Sequence, residues 1–212
     1  MAKFEPTMSD RPSPDLSAAA WEQRYQNGQT GWDLGAPAPP LVQLLAGAQA
    51  PRPGRMAVLG AGRGHDALLF AAHRFDVVGF DLAPSAIAAA QQAAQSQQLP
   101  AQFLQRDIFT LGTEFAAQFD YVLEHTCFCA IDPELRPAYV QLIKTLLRSR
   151  GELLALFWAH QKSGGPPFGT TVAALRQLFE PNFVQVLFEP ATNSIPSRRG
   201  EEYLVRYQVR EE

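Results

Sequence analysis

The sequence predicts an α/β protein built on a mostly parallel seven-stranded sheet, with helices on both faces and an antiparallel last strand. Three observations carry this. From Met56 onward short apolar runs alternate with helical ones, the pattern of parallel strands joined by crossover helices. One such strand breaks into the glycine-rich turn Gly60-Ala61-Gly62-Arg63-Gly64 and then a helix. The last two strands have no helical run between them, so they pair antiparallel. A chain of 212 residues, 46% of them hydrophobic, can bury one sizeable core.

Residues 1–16, rich in Pro, Ser and Asp, read as a flexible tail, and 17–212 as one domain. Ser17 is a suitable N-cap for a short helix through about Gln26, which sets Trp21 and Tyr25 on one face at i, i+4 before Asn27-Gly28 stops it. Ala36-Pro37-Ala38-Pro39-Pro40 leads into a second short helix at 41–45. Strands are expected at 56–60, 76–81, 102–106, 119–124 and 151–158. Helices fill the gaps at about 64–72, 84–95, near Phe115, and at 133–147, where Asp132 caps and Pro133 takes the first helical position. The Ala and Gln bias of 86–98 favours helix. A helix at 171–179 precedes the final strands at 184–188 and 203–209.

With 18% charged residues and a net charge of -3, the chain lacks the basic surface of a nucleic-acid binder, and a small-molecule partner is expected instead. No apolar run approaches the ~20 residues that span a bilayer, and the first residues carry no apolar secretory core. Cys127 and Cys129 are one residue apart, too close for a relaxed disulfide, which fits a reducing cytoplasm. A single domain of this size is expected to be a monomer.

The sharpest local signal is Val58-Leu59-Gly60-Ala61-Gly62-Arg63-Gly64-His65-Asp66. Glycines allow the tight strand-to-helix corner and close approach of a ligand to the backbone. By itself such a turn can be only a corner. Beyond it, however, Val77-Val78-Gly79-Phe80-Asp81 is a buried strand ending in a carboxylate, placed where a ribose diol would be bonded. A dinucleotide fingerprint needs glycine at position 65, where His stands, so the pattern fits S-adenosyl-L-methionine better. Arg106-Asp107-Ile108-Phe109 then offers an acid and an apolar side chain to an adenine ring.

These residues resemble the thiopurine methyltransferase superfamily, and within it the plant-type halide and thiol methyltransferases. The resemblance runs from Trp21 to Tyr207, through Gly31-Trp32-Asp33-Leu34-Gly35, the glycine turn, Val78-Gly79-Phe80-Asp81 and Phe128-Cys129-Ala130-Ile131-Asp132-Pro133-Glu134-Leu135-Arg136-Pro137. It continues through Gly164-Gly165-Pro166-Pro167-Phe168 and Ser194-Ile195-Pro196-Ser197-Arg198-Arg199-Gly200. It implies a Rossmann-like class I methyltransferase fold, with a helical lid over 17–50 carrying Trp21, Tyr25 and Trp32. It further implies that Gly60, Asp81, Asp107, Ile108 and His125 line the cofactor site, and Gly62, Gly64, Asp66, Leu82 and Glu124 are expected to join them. Tyr25 stands where the plant-type enzymes have Trp, while His125 and Trp158 stand where they have Tyr. Like them, the chain has no acid just before Gly60.

Trp21 and Trp32 can equally be core anchors, but aromatic faces beside a sulfonium are physically apt, and the same holds for Phe128 and Trp158. His125, Cys127 and Cys129 lack a fourth ligand at usual spacing, so no metal is assigned. No residue is firmly catalytic; His125, Trp158 and Arg198 are candidates. Arg198 and Arg199 either favour a thiolate or form an exposed turn beside Glu201 and Glu202. The expected activity is methyl transfer to a small soft nucleophile: a thiol, a thiopurine-like thiol, hydrosulfide, thiocyanate, a halide, or reduced selenium or tellurium. The rivals are a binding module without turnover and a nicotinamide-dependent oxidoreductase.

Overall fold

A computed structural model describes residues 14–211, so the expected tail lies outside the described residues except for 14–16. Helix α1 (Ala18–Gln26) starts where Ser17 Oγ accepts the Ala20 amide at 3.2 Å. Helix α2 (Pro39–Ala46) has its prolines in the first turn, where no amide is needed. Then follow β1 (Arg55–Leu59), α3 (His65–Ala72), β2 (Asp76–Asp81), α4 (Pro84–Ser96), β3 (Gln102–Gln105), α5 (Leu111–Glu114) and β4 (Phe119–His125). The chain closes with α6 (Arg136–Leu146), β5 (Leu147–Trp158), α7 (Val172–Phe179), β6 (Phe183–Pro190) and β7 (Glu202–Val209).

The strands lie in the order β3-β2-β1-β4-β5-β7-β6. Strands β1 to β5 are parallel, and β7 runs antiparallel to both β5 and β6. Alternate residues feed opposite faces: Ala57 and Leu59 join a core with Phe119, Tyr139 and Phe179, whereas Met56 and Val58 join one with Leu41, Phe70 and Leu154. Both faces are therefore buried, as the apolar strands predict. The order reverses between β1 and β4, which opens a crevice at their carboxyl ends.

Most boundaries fall within two residues of expectation, and two differ by more. Strand β5 starts at Leu147 rather than 151, because Leu147 pairs with Phe119 before the register shifts and Tyr121 pairs with Glu152. The charged residues in between, which argue against a strand, project from this irregularity, and Arg148 pairs with Asp120 at 2.8 Å. Helix α6 is preceded by a separate 3₁₀ turn, Pro133–Leu135, and it is this turn that Asp132 caps through the Glu134 amide. No helix among the described residues is long and apolar enough to cross a membrane.

Candidate active site

The glycine turn leaves β1 at the crevice. Gly60 has φ +61°, and a Cβ there would stand 3.0 Å from Cys127 Cβ and Sγ. Gly64 has φ +83°, and its Cβ would meet Phe103 Cζ at 2.9 Å, so its absence lets α3 pack close to the sheet. From the end of β2, Asp81 accepts the Gly62 amide at 2.8 Å and the Ala83 amide at 2.9 Å. Burial nevertheless pushes its pKa up against those hydrogen bonds.

A cavity of about 700 Å³ lies over these residues. At one end its wall includes Gly60, Asp81, Leu82, Asp107 and Ile108, covered by Trp21, Tyr25 and Trp32. Trp32 meets Trp21 and Tyr25 edge-on, with centroids 5.4 and 5.6 Å away, and its Nε1 donates to Tyr25 Oη at 3.3 Å. The N-terminal segment is tied down beside them. Glu22 accepts the Ser85 amide at 2.9 Å and the Ser85 hydroxyl, serving as the cap that α4 lacks from its own chain end. Asp33 pairs with Arg63 at 2.9 Å and with His65 at 3.1 Å.

The other end holds Cys129, Ile131, Trp158, Lys162 and Arg198. Trp158 Nε1 donates to Glu201 at 2.9 Å; Lys162 Nζ lies 4.8 Å and Arg198 Cζ 4.9 Å from its ring centroid. The two adjacent arginines separate. Arg199 is exposed, but Arg198 is only 3% accessible and pairs with Glu202 at 3.2 Å, which corrects the exposed-turn reading for Arg198. Arg198 also donates to the Trp32 carbonyl at 3.3 Å and faces His125 Nε2 at 3.1 Å. A guanidinium only donates, so Nε2 accepts and the ring proton sits on Nδ1, directed at Asp66 2.7 Å away. Burial works to raise the Asp66 pKa, but His125 and the Ala38 amide outweigh it and hold it low.

Residues 16–209 match the profile of the family described as Thiopurine S-methyltransferase. The chain belongs to this family. Among its relatives, thiocyanate methyltransferase 1 of Arabidopsis thaliana is 35% identical over 91% of this chain and 86% of its own. The probable thiol methyltransferase 2 of the same plant is 33% identical over 91% and 85%. The thiopurine S-methyltransferase of Xanthomonas campestris pv. campestris (strain 8004) is 26% identical over 75% and 80%. A solved 1,6-didemethyltoxoflavin-N1-methyltransferase of Burkholderia thailandensis, with bound S-adenosylhomocysteine, superposes with TM-score 0.76 at 20% identity, covering 95% of this chain and 93% of its own. The fold is thus the Rossmann-like class I methyltransferase fold, and the protein is an S-adenosylmethionine-dependent methyltransferase.

Within this thiopurine S-methyltransferase family member, the cavity suits that cofactor in its observed features: an acid at the end of β2, a turn open to ligand backbone contact, and aromatic edges overhead. The expected site residues divide. Trp21, Tyr25, Trp32, Gly60, Asp81, Leu82, Asp107, Ile108, Trp158 and Arg198 are on the wall. Gly62, Gly64, Asp66, Glu124 and His125 stand behind it and shape it. Glu124 is 1% accessible; it accepts the amides of Cys127 at 3.1 Å and Phe128 at 2.9 Å together with the Tyr139 hydroxyl, fixing the turn after β4. Burial raises its pKa. Phe128, expected near the sulfonium, is instead a core ring packed on Phe157, Tyr139 and Phe179, with Arg136 above it.

Cys127 and Cys129 are both buried at the cavity, where desolvation drives the first thiol pKa well above its usual value and the second up to about 12. Among the described residues no three His, Cys, Asp or Glu side chains are placed to hold a metal ion. Sequence reasoning missed Lys162, Leu135, Pro166 and Pro167 as wall residues. The Gly-Pro block was legible as a unit, but nothing in it announces that the loop returns to the cavity wall, with the Phe168 amide donating to the Cys129 carbonyl at 2.6 Å.

Proposed function

We propose that the protein methylates a small, soft, anionic nucleophile, a thiolate, hydrosulfide, thiocyanate or halide, at the Trp158 end of the cavity. The observation that carries this reading is Arg198: a guanidinium nearly sealed from solvent yet on the cavity wall, against the Trp158 ring, with Lys162 close to the same ring. A desolvated guanidinium beside an indole suits a polarizable anion, and the exposed Lys162 adds positive charge beside the same ring.

When bound, S-adenosylmethionine supplies a methyl group on a sulfonium. Asp81, oriented by two backbone amides, is positioned to accept ribose hydroxyls, and Asp107 with Ile108 to meet the adenine. Trp21, Tyr25 and Trp32 form a lid that excludes water and offers ring electrons to the sulfonium. This gives residues 17–50 the role of a cover on a single domain. At the acceptor end the chain aligns the nucleophile for an in-line displacement. His125 has both ring nitrogens engaged and the cavity cysteines are held as thiols, so these groups supply no base and the acceptor arrives ionised. The nicotinamide rival has no matching feature, given His65 in the fingerprint position.

Rate against pH tests this reading. With an organic thiol, kcat/KM is expected to rise with the thiol's own ionisation, while with iodide or thiocyanate it stays flat over the same range. An enzyme pKa shared by all acceptors would show that a protein base is used.

A further inference from the structure

We infer that Arg198 couples the acceptor end of the cavity to closure of the N-terminal segment, so that acceptor anion and cofactor bind synergistically. This rests on the reading of the two ends given above. Arg198 sits in a short 3₁₀ turn, Pro196–Arg198, between β6 and β7, far in sequence from the segment it touches. One limb of its guanidinium, Nη2, donates to the carbonyl of Trp32, the ring that packs against both Trp21 and Tyr25. The other limb, Nη1, contacts Glu202 at 3.2 Å and His125 at 3.1 Å. His125 passes the connection to Asp66 at 2.7 Å, and the second Asp66 oxygen accepts the Ala38 amide at 2.8 Å.

One buried network therefore grips the N-terminal segment twice, at the Trp32 carbonyl and at the Ala38 amide. With the segment closed, Arg198 is fixed against Trp158 and on the cavity wall. If the segment lifts, Arg198 loses the Trp32 carbonyl and its shielding from water. An anion held by the guanidinium thus favours the closed form, as does a cofactor under the Trp21, Tyr25 and Trp32 rings. Two ligands that prefer the same state strengthen one another reciprocally. Arg198 acts on the cofactor only through Trp32, which makes it a positioning residue for that end.

The test is calorimetry of S-adenosylhomocysteine, which gives no turnover, in sodium thiocyanate or iodide and in sodium fluoride of the same ionic strength. Thiocyanate or iodide is expected to tighten binding about five-fold or more. Amide exchange over 18–38 in the S-adenosylhomocysteine complex is expected to slow when thiocyanate is added. In Arg198→Lys, which keeps the charge but has no second limb for the Trp32 carbonyl, both effects should fall to near one-fold. A wild-type protein that binds S-adenosylhomocysteine with no change on adding either anion overturns the coupling and leaves the functional reading intact. Retention of both effects in Arg198→Lys overturns it as well. Failure to bind S-adenosylhomocysteine under any condition would instead overturn the functional reading itself. Should Arg198→Lys not fold, the wild-type comparison alone decides.

Discussion

The Gly62 amide donates to Asp81 Oδ2 at 2.8 Å, so the glycine turn after β1 and the acid ending β2 form one rigid unit. With Ala83 on the other oxygen, the carboxylate is oriented before any ligand arrives. Asp81→Ala is expected to weaken S-adenosylmethionine binding by about 1.5–3 kcal/mol, the range for hydrogen bonds to a charged group. Calorimetry checks this, and unchanged affinity would remove Asp81 from the cofactor site.

Gly64 combines a left-handed backbone with a crowded site. Alanine there would carry an unfavourable φ of +83° and place its Cβ 2.9 Å from Phe103 Cζ and 3.0 Å from Ala90 Cβ. Gly64→Ala is expected to cost about 2–4 kcal/mol, combining the left-handed penalty with overpacking. Gly200→Ala, with φ +82° and nothing within 4 Å, should cost only the backbone part, about 1–2 kcal/mol. Urea denaturation of the two variants compares them directly; equal losses would show that packing under Gly64 is loose.

Glu124 holds two buried amides and the Tyr139 hydroxyl. Glu124→Ala strands all three and is expected to lower stability by about 3–5 kcal/mol, whereas Glu124→Gln keeps an acceptor for the amides and should lose much less. A chemical denaturation series reads both. If Glu124→Ala is as stable as Glu124→Gln, the turn after β4 is held by something else.

Much of this was legible in the chain before any coordinates. The alternation of strands and helices fixed the order of elements, and the missing crossover between β6 and β7 made their pairing antiparallel. Gly60, Asp81, Asp107 and Ile108 were readable because turn geometry and strand ends tie them to fixed places in such a sheet. Arg198 was ambiguous for a physical reason: paired arginines beside paired glutamates look solvated, and only the approach of Trp32, 166 residues away, shows one of them buried. His125 and Asp66 were expected at the cofactor, and sequence does not reveal that each spends a polar atom on the other. Lys162 gave no signal, because a lone lysine in a loop usually faces water.

His160 supplies a pH signature. It is 1% accessible, packs 4.4 Å from the Trp158 ring, and accepts the Lys162 amide on Nδ1 at 3.2 Å. Burial, then Lys162, hold its pKa below the usual 6.5. For a base with a depressed folded pKa, the unfolded chain binds the proton first, so stability is lost as pH falls from about 6.5 towards the folded value. The loss is at most ~1.4 kcal/mol per pH unit. His160→Asn, which keeps an acceptor for the Lys162 amide but does not titrate, should lack this component. Melting temperatures of both proteins between pH 7 and 5 test it; parallel curves would mean that His160 takes up its proton in the fold at no cost.

The most direct test of the central claim is a turnover assay with purified protein and S-adenosylmethionine, adding sodium hydrosulfide, thiocyanate or iodide in turn. It would measure S-adenosylhomocysteine in solution and the methylated acceptor in the headspace. Equal molar amounts of both products, dependent on the added anion and sharply reduced in Arg198→Gln, are the expected result. Tight binding of S-adenosylmethionine with no product from any of these anions would contradict a site built for small soft nucleophiles.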